Sequence, residues 1–462
     1  MNAATNTMND ELLDRMRWET DVLADTTVSN ILGPWHSLPH PATLDATIQA
    51  NASAWERVAV VNRLFGKWQD NGSLPDWKAE GRNLPADITA LLETYVRTGC
   101  RLPDWVEPRK VARAEELFLD HGVLSCVLLF CSSLPECYVI PDLSAVLQAT
   151  GQLQRHTDYR IRATAAMVFP VMMPGGLTAP QGEGIAQILK VRLIHATVRN
   201  LILRGDPARV ERTQNVTALA DLPDGADMSQ TLLAMAWDME HNCMPCNQEE
   251  LAYTLLTFSY VFLRSLRRLG LALPRADEEA YLHAWNVVGH VLGIRRELMV
   301  HTMDDAARLF THLQVRGRAR QVEPDARPAL TRALMQTMQN VLPLRVLKPF
   351  PALLTRHLCG KATARDLGLT RATPWVSRFL FALCMGIVRV IDTVIRLFSP
   401  RFCISRLITR LLGQRFMAQL LMEQVRPLQM PQVLPEPKQL PASLRQRVKD
   451  MVQRWKRKGP RK

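Results

Sequence analysis

One segment of 20 residues restricts the possible folds more than any other part of the chain. Residues 184–203 read GIAQILKVRLIHATVRNLIL, and their apolar side chains would cover most of the circumference of a helix. A helix that is apolar nearly all round is buried. Arg192, His195 and Arg199 recur at i, i+3 and i+7 and form one narrow polar stripe. The sequence therefore predicts a central helix that other elements cover on most sides.

The rest of the chain indicates that these other elements are helices as well. Few segments alternate strictly between polar and β-branched residues, so an all-α protein is the economical prediction. We expect a polar surface connection at 206–229 and a basic, proline-containing loop at 315–327. The predicted helices span residues 109–130, 143–150, 158–168, 184–203, 232–239, 249–269 and 278–292, with a pair inside 329–358.

Several common classes of enzyme lack their signatures here. The chain contains no GxxxxGK[ST], GxGxxG, HExxH or GxSxG motif, which counts against nucleotide hydrolases, dinucleotide-binding folds, zincins and α/β-hydrolases. Its nine cysteines are odd in number and irregularly spaced, which indicates a reducing compartment. The first 21 residues have no apolar core of a secretory signal. We expect a cytoplasmic protein.

The net charge of +13 is concentrated at one end of the chain. Residues 376–462 hold 18 basic and 4 acidic side chains, whereas residues 1–375 hold 39 and 40. A strongly basic region attracts anionic surfaces. Within it, 376–398 and 402–421 have the pattern of basic amphipathic helices, and a proline-rich linker at 427–441 precedes a Lys/Arg-rich end.

Three interpretations of this tail remain open. It could bind an anionic membrane surface, remain a solvated and partly disordered tail, or bind nucleic acid. Nucleic acid is the weakest interpretation because no recognisable module accompanies the charge. The longest uncharged apolar run near the tail, residues 379–388, is shorter than the roughly 20 residues that a spanning helix needs. We therefore expect peripheral attachment at the inner face of a membrane.

Two features could bind a metal. Cys243-Met-Pro-Cys246 follows His241 closely, but no second CxxC completes four ligands, so a plain loop before the next helix is favoured. His195 is more informative, although a lone histidine on an apolar helix is more often a hydrogen-bonded core residue. If Arg192 and Arg199 beside it are desolvated, they require anionic partners, and haem supplies two propionates and an iron that binds neutral imidazole.

Arg160 and Thr164 form a second candidate pair. Their spacing of four places them on one helical face, where they could hydrogen-bond a bound oxygen species or a substrate carbonyl. The alternative is a surface arginine beside a threonine that bonds its own helix.

Several motifs occur in an order that resembles one known family. They are Leu134-Pro135-x-x-Tyr138, Leu147-x-x-Thr150-Gly151-x-Leu153, Arg160-x-x-x-Thr164, Pro174-Gly175-Gly176, Lys190-Val-Arg192-Leu-Ile-His195-Ala196, Asn247-Gln-Glu-Glu-Leu-Ala-Tyr253 with Phe258, Trp285-x-x-x-Gly289-His290-x-x-Gly293, and Leu358-x-Gly360 with Leu367-Gly368-Leu369. Together they resemble the catalytic domain shared by rubber oxygenase (latex-clearing protein) and the ER-bound mpaB-type oxygenases. The resemblance covers residues 102–369.

The resemblance implies an all-α, globin-like domain that binds haem b. His195 matches the proximal iron ligand, and Arg160 and Thr164 match the distal pair. Two positions depart from the rubber enzymes: Ala163 replaces a lysine that can occupy the sixth iron position, and Ser144 stands near a proposed catalytic glutamate. These departures are compatible with haem binding and count against cleavage of polyisoprene.

These observations lead to one expected function and two alternatives. We expect a helical extension at 1–101, an oxygenase-like haem domain at 102–370 and a basic amphipathic tail at 371–462. The enzyme would use O₂ on an apolar, isoprenoid-like or lipid-like substrate, with Arg192 and Arg199 holding the cofactor. The alternatives are a non-catalytic helical protein attached to a membrane and a haem carrier or sensor without turnover.

Overall fold

Helices are the dominant secondary structure of the part that the computed structural model describes, which is residues 10–39, 42–81, 83–151, 157–220, 222, 226–320, 322–342, 344–398 and 428–432. Over these ranges there is no β-strand, and the only extended pairings are two isolated bridges, Thr43 with Ala220 and Val216 with Trp237. The predicted all-α fold class is confirmed.

The α-helices in chain order are α1 (Asp10–Met16), α2 (Val22–Leu32), α3 (Leu44–Ala50), α4 (Ala52–Phe65), α5 (Ala86–Gly99), α6 (Pro108–His121), α7 (Val123–Leu128), α8 (Leu134–Cys137), α9 (Pro141–Gly151), α10 (Thr157–Met172), α11 (Gly184–Leu203), α12 (Met228–Ala234), α13 (Met239–Asn242), α14 (Gln248–Phe258), α15 (Tyr260–Arg268), α16 (Arg275–Val291), α17 (Met303–Arg318), α18 (Arg327–Val341), α19 (Phe350–Cys359), α20 (Lys361–Asp366) and α21 (Trp375–Phe398). A π-helical turn, Leu129–Ser133, joins α7 to α8, and two short 3₁₀ turns occur at Pro207–Arg209 and Arg296–Leu298.

Helix α11 lies at the centre of the molecule, as its sequence predicts. Sixteen of its 20 residues are buried, and α2, α10, α12 and α16 pack against it. Its limits agree with the predicted segment because Arg204 adopts a left-handed conformation, which ends the helix.

The N-terminal helices belong to the same core as the rest of the chain. Helix α2 packs against both α5 and α11, and one continuous apolar cluster runs from Leu13 to Met430. Residues 10–99 therefore help to enclose the central helix.

Four predicted segments differ from the structure. The helix expected over 232–239 ends early, because α12 covers Met228–Ala234 and the backbone is extended at Met235. The single helix expected over 109–130 breaks at Gly122, whose φ of 40° interrupts the helical path between α6 and α7. The helix expected over 249–269 divides at Ser259 into α14 and α15. The loop expected from 315 begins inside α17, which continues to Arg318.

Within the same described ranges, none of the helices is by itself long and apolar enough to cross a bilayer. One pair, Pro108–His121 with Val123–Cys137, meets the criteria of length and composition only when taken together, and its members meet at 90°. The predicted helix at 376–398 forms as α21, whereas the helix predicted at 402–421, the linker at 427–441 and the basic end lie mainly outside the described residues.

Candidate functional site

Helix α11 has one accessible stripe on an otherwise buried surface. Gln187, Val191, Ile194 and His195 are its only residues that keep partial exposure. Their spacing of i, i+4, i+7 and i+8 places them on one face. The helix is therefore closed on all sides but one, and the open side ends at His195.

His195 lacks the hydrogen bond that a core histidine usually makes through Nδ1. Its Nδ1 is buried and has no hydrogen-bond partner, while the side chain as a whole is partly accessible. The accessible part of the ring therefore lies away from Nδ1, on the side of Nε2. Burial, followed by the charge of Arg199, lowers the pKa of His195 to about 4. The imidazole is neutral at physiological pH, which is the form that binds metals.

The surroundings of His195 fit a metal that brings most of its own ligands. Within the described ranges, no group of three or more His, Cys, Asp or Glu side chains is arranged to hold a metal ion. A single neutral imidazole on an apolar helix face cannot complete a bare metal site, but it can provide the axial ligand of a haem iron. The orphaned ring and its setting are thus compatible with haem.

The neighbouring helix α10 carries the other predicted pair. Arg160 and Thr164 both lie on α10, one turn apart, and α10 packs along α11. Thr164 and Met167 are partly accessible at a spacing of three, so they share a face. The Arg160 side chain and that of Ala163 lie outside the described part of the structure.

Arg192 already has an anionic partner inside the protein. Its guanidinium group donates through Nε and Nη2 to the two carboxylate oxygens of Asp21, with 2.7 Å between Nη2 and Oδ1, and through Nη1 to the Val291 carbonyl at 3.0 Å. Both side chains of this ion pair are almost completely buried. The arginine is desolvated, as the sequence predicts, and Asp21 compensates its charge.

The charge of Arg199 is also compensated inside the protein, by Asp25, which lies one helical turn after Asp21. Its Nε donates to Asp25 at 2.8 Å, and its Nη1 donates to the Cys246 carbonyl at 2.7 Å. Because Asp21 and Asp25 supply the anions, the assignment of Arg192 and Arg199 to cofactor propionates loses the argument on which it was based. Their observed contacts tie α2 to α11 and so fix the helix that carries His195.

Ser144, the position near the family's proposed catalytic glutamate, is not accessible to solvent in this chain. Ser144 is completely buried on α9, and its hydroxyl donates to the Tyr138 carbonyl at 2.8 Å. The side chain is therefore engaged in holding the turn before α9. It supplies no acid or base to the open face of α11.

A buried charge cluster lies close to the start of α14. Asp142 and Glu249 share the guanidinium group of Arg320, with 2.7 Å between Arg320 Nη1 and Asp142 Oδ2, and Arg316 Nε also contacts Glu249 at 3.4 Å. Glu250 is buried beside them, and neither of its carboxyl oxygens has a hydrogen-bond partner. Burial and then the charge of Asp142 raise the pKa of Glu250 to about 8.

The two cysteines of the CxxC motif occupy the loop before α14, as predicted. The Cys243 carbonyl accepts a bond from the Trp237 indole at 2.8 Å, and burial, followed by the charge of Glu250, raises the pKa of the Cys246 thiol to about 12. Buried thiols of this kind are poor nucleophiles. Their backbone contacts hold the loop that accepts from Arg199.

Fold and site together define an all-helical protein whose central helix presents one neutral histidine on its open face. Residues 138–390 match the family model described as "ER-bound oxygenase mpaB/B'/Rubber oxygenase, catalytic domain". The match covers more than half of the chain, so the chain belongs to this family. It extends into α21, beyond the boundary predicted at residue 370.

Two known proteins illustrate the similarity. The chain is 26% identical over 239 residues to the rubber oxygenase of Streptomyces sp. (strain K30), covering 51% of each chain, so it spans about half the length of that curated relative. A solved structure of latex clearing protein in the closed state has a TM-score of 0.56 and 19% identity, covering 95% of this chain and 90% of that one. The second similarity shows a shared fold.

The sequence contains a signal for the partners of the two arginines that the predictions above do not use. Asp21 and Asp25 are four residues apart at the start of one helix and are its only charged residues, and Arg192 and Arg199 are seven apart on another. Both spacings place charges of one sign on a single face. Pairing the two stripes would have predicted the contact between α2 and α11.

Proposed function

We propose that the protein is a haem b-dependent oxygenase that uses O₂ on an apolar, isoprenoid-like or lipid-like substrate. The observation that carries this proposal is His195, a neutral imidazole with a sealed, unpartnered Nδ1 on the one open face of a buried helix. Membership in a family of oxygenase catalytic domains supports the reaction class. The apolar residues Val191 and Ile194 beside His195 would contact the cofactor, and membership in a family that includes rubber oxygenase supports an apolar substrate.

His195 would hold the cofactor through its accessible ring nitrogen. When bound, haem b supplies an iron centre that can activate O₂. The chain's own contribution is to keep the imidazole neutral and to fix its helix through the pairs of Arg192 with Asp21 and Arg199 with Asp25. Val191 and Ile194 on the same stripe would offer the cofactor an apolar contact surface.

Arg160 and Thr164 would act from α10 on the side where the substrate and O₂ meet. A guanidinium group can orient an oxygen atom that gains negative charge, and a threonine hydroxyl can donate a hydrogen bond to the same atom or to a substrate carbonyl. Thr164 keeps the partial exposure that such a role requires.

Haem uptake tests the cofactor part of the proposal. The purified protein is titrated with haem, and the Soret band is followed for wild type, His195→Ala and the matched control His290→Ala. His290 is also a partly accessible histidine on a helix, and burial lowers its pKa too. We expect a saturable band for wild type and the control, and its loss in His195→Ala. A wild type that takes up no haem would refute the proposal.

Oxygen consumption tests the catalytic part separately. Thr164→Val keeps the size of the side chain and removes its hydroxyl, so haem uptake should be unchanged. With isoprenoid or other apolar lipids, we expect its rate of O₂ consumption to fall by roughly tenfold or more, as the loss of one hydrogen bond in a transition state predicts. An unchanged rate would remove Thr164 from the mechanism.

We also propose that the protein works in the cytoplasm against the inner face of a membrane. The net charge of +14 over residues 376–462 would be attracted to anionic lipids, and apolar substrates accumulate in such a phase. Deletion of 376–462 should then release the protein from membranes without abolishing haem uptake.

A haem carrier or sensor is the second candidate, and Ser144 favours it. The fully buried serine leaves the chain without an acid at the position near the family's proposed catalytic glutamate. This candidate predicts haem uptake that depends on His195 and no O₂ consumption with any apolar lipid. The two experiments above therefore separate an enzyme from a carrier.

A further inference from the structure

Helix α21 presents an apolar ridge that no described part of the protein covers. Trp375, Phe379, Leu383, Ile387 and Val390 are all exposed, with 76% of Trp375, 62% of Phe379 and 61% of Val390 accessible. Their spacing of four, four, four and three residues forms a straight line along one side of the helix, about 22 Å long. Isolated exposed apolar residues are ordinary, but a continuous row of five marks a binding surface.

The opposite side of α21 attaches the helix to the protein body. The Phe381 ring lies edge-on against Phe350 of α19, with 5.6 Å between the ring centroids, Ser377 is buried, and Met385 packs against the core. Helix α21 is thus packed on the protein body. The ridge is exposed because it lies on the side of the helix that faces away from the body.

We propose that this ridge enters the interfacial region of an anionic lipid bilayer. A tryptophan at one end and aliphatic side chains along the row suit the boundary between head groups and acyl chains. Exposed Arg371 and Arg378 lie beside it, and the segment 376–462 adds a net charge of +14. Basic side chains around an apolar row match a surface of negative head groups over hydrocarbon.

A second copy of the chain is a less suitable occupant of the same ridge. Pairing two ridges would bring together two segments of charge +14, and like charges oppose such an association. An anionic bilayer satisfies both the apolar row and the charge. This inference rests on the membrane part of the proposed function and is independent of its haem part.

Vesicle flotation of the full-length protein tests the inference. Vesicles of phosphatidylcholine alone are compared with vesicles that also contain phosphatidylglycerol. The ridge variant Phe379→Ser/Val390→Ser is compared with Val315→Ser, because Val315 on α17 is exposed to the same 61% as Val390. We expect binding to the anionic vesicles, at least about tenfold weaker binding of the ridge variant, and no change for the control.

Each other outcome overturns the inference. Equal binding of wild type and the ridge variant would show that charge alone attaches the protein. Equal binding to both kinds of vesicle would remove the role of anionic lipid. Light scattering that shows a dimer broken by the ridge variant would assign the ridge to a second copy. The Soret band of the same samples shows whether the haem part of the proposed function stands or fails by itself.

Discussion

Arg192 holds both carboxylate oxygens of Asp21 in a buried, bidentate ion pair between α11 and α2. Removing one partner of such a pair leaves the other charge buried and uncompensated, which costs more than the pair itself contributes. We expect Asp21→Asn, which keeps an oxygen to cap α2, to lower the free energy of unfolding by about 3–5 kcal/mol. Urea unfolding measures this change.

A surface pair nearby provides the control for this prediction. Glu19 pairs with Arg295 at 2.9 Å, but both side chains are partly exposed to solvent. Glu19→Gln should therefore cost no more than about 1 kcal/mol. If Asp21→Asn proves as mild as this control, Arg192 does not depend on Asp21, and its assignment to a cofactor anion regains support.

The loop before α11 gives a second prediction. A Cβ at Gly176 would overlap the Pro170 carbonyl oxygen and lie 2.6 Å from that of Val171, and the Gly176 carbonyl accepts from the Gly184 amide at 2.9 Å. Because the overlapping atoms belong to the backbone, no change of side-chain rotamer can relieve the overlap. Gly176→Ala should destabilise the protein by on the order of 3 kcal/mol or more.

Gly386 on α21 is the matched glycine for this experiment. No heavy atom lies within 4 Å of the Cβ that alanine would add there. Gly386→Ala should leave stability unchanged or raise it by up to about 1 kcal/mol, because alanine is the better helix former. Thermal unfolding of the two variants distinguishes a required close approach from a general cost of replacing glycine.

The sequence predicted the central helix better than its neighbourhood. The helix at residues 184–203 was predicted correctly because a helix that is apolar on nearly all sides is stable only when other elements bury it. The break at Gly122 was missed because a single glycine within a continuous apolar pattern does not reveal its φ. His195 lies on an accessible stripe because the helices packed around α11 leave that face uncovered. The spacing of residues within α11 does not show which face the other helices leave uncovered. The ion pairs of Arg192 and Arg199 join positions more than 170 residues apart, so their only signal in the sequence is that the two aspartates and the two arginines each share a helical face.

Ser144 gives a prediction about the chain's departure from the rubber enzymes. The side chain is fully buried and its hydroxyl is engaged with the Tyr138 carbonyl, so a glutamate there would bury an unpaired carboxyl group. We expect Ser144→Glu to lose on the order of 3 kcal/mol of stability and Ser144→Ala about 1 kcal/mol, the cost of one hydrogen bond. Urea unfolding at neutral pH compares the two. A glutamate variant as stable as wild type would show that this position opens onto a polar cavity.

Glu250 gives a prediction about pH. Burial, then the charge of Asp142, raises its pKa from an ordinary 4.5 to about 8 in the folded protein. Below about pH 4.5 the carboxyl group is protonated in both states, so it has no effect on stability. Between 4.5 and 8 the unfolded chain releases the proton that the fold retains, so folding becomes less favourable as the pH rises. Above about pH 8 this penalty is constant.

Glu250→Gln cannot ionise and should escape this penalty. We expect the advantage of the variant over wild type to grow as the pH rises from 5 to 8, to reach about 3 kcal/mol near pH 7, and to level off at about 5 kcal/mol above that range. Urea unfolding of both proteins at pH 5, 6, 7, 8 and 9 measures the difference, in which the titration of all other groups largely cancels. A difference that does not vary with pH would mean that Glu250 is ionised in the fold and that Arg320 compensates its charge.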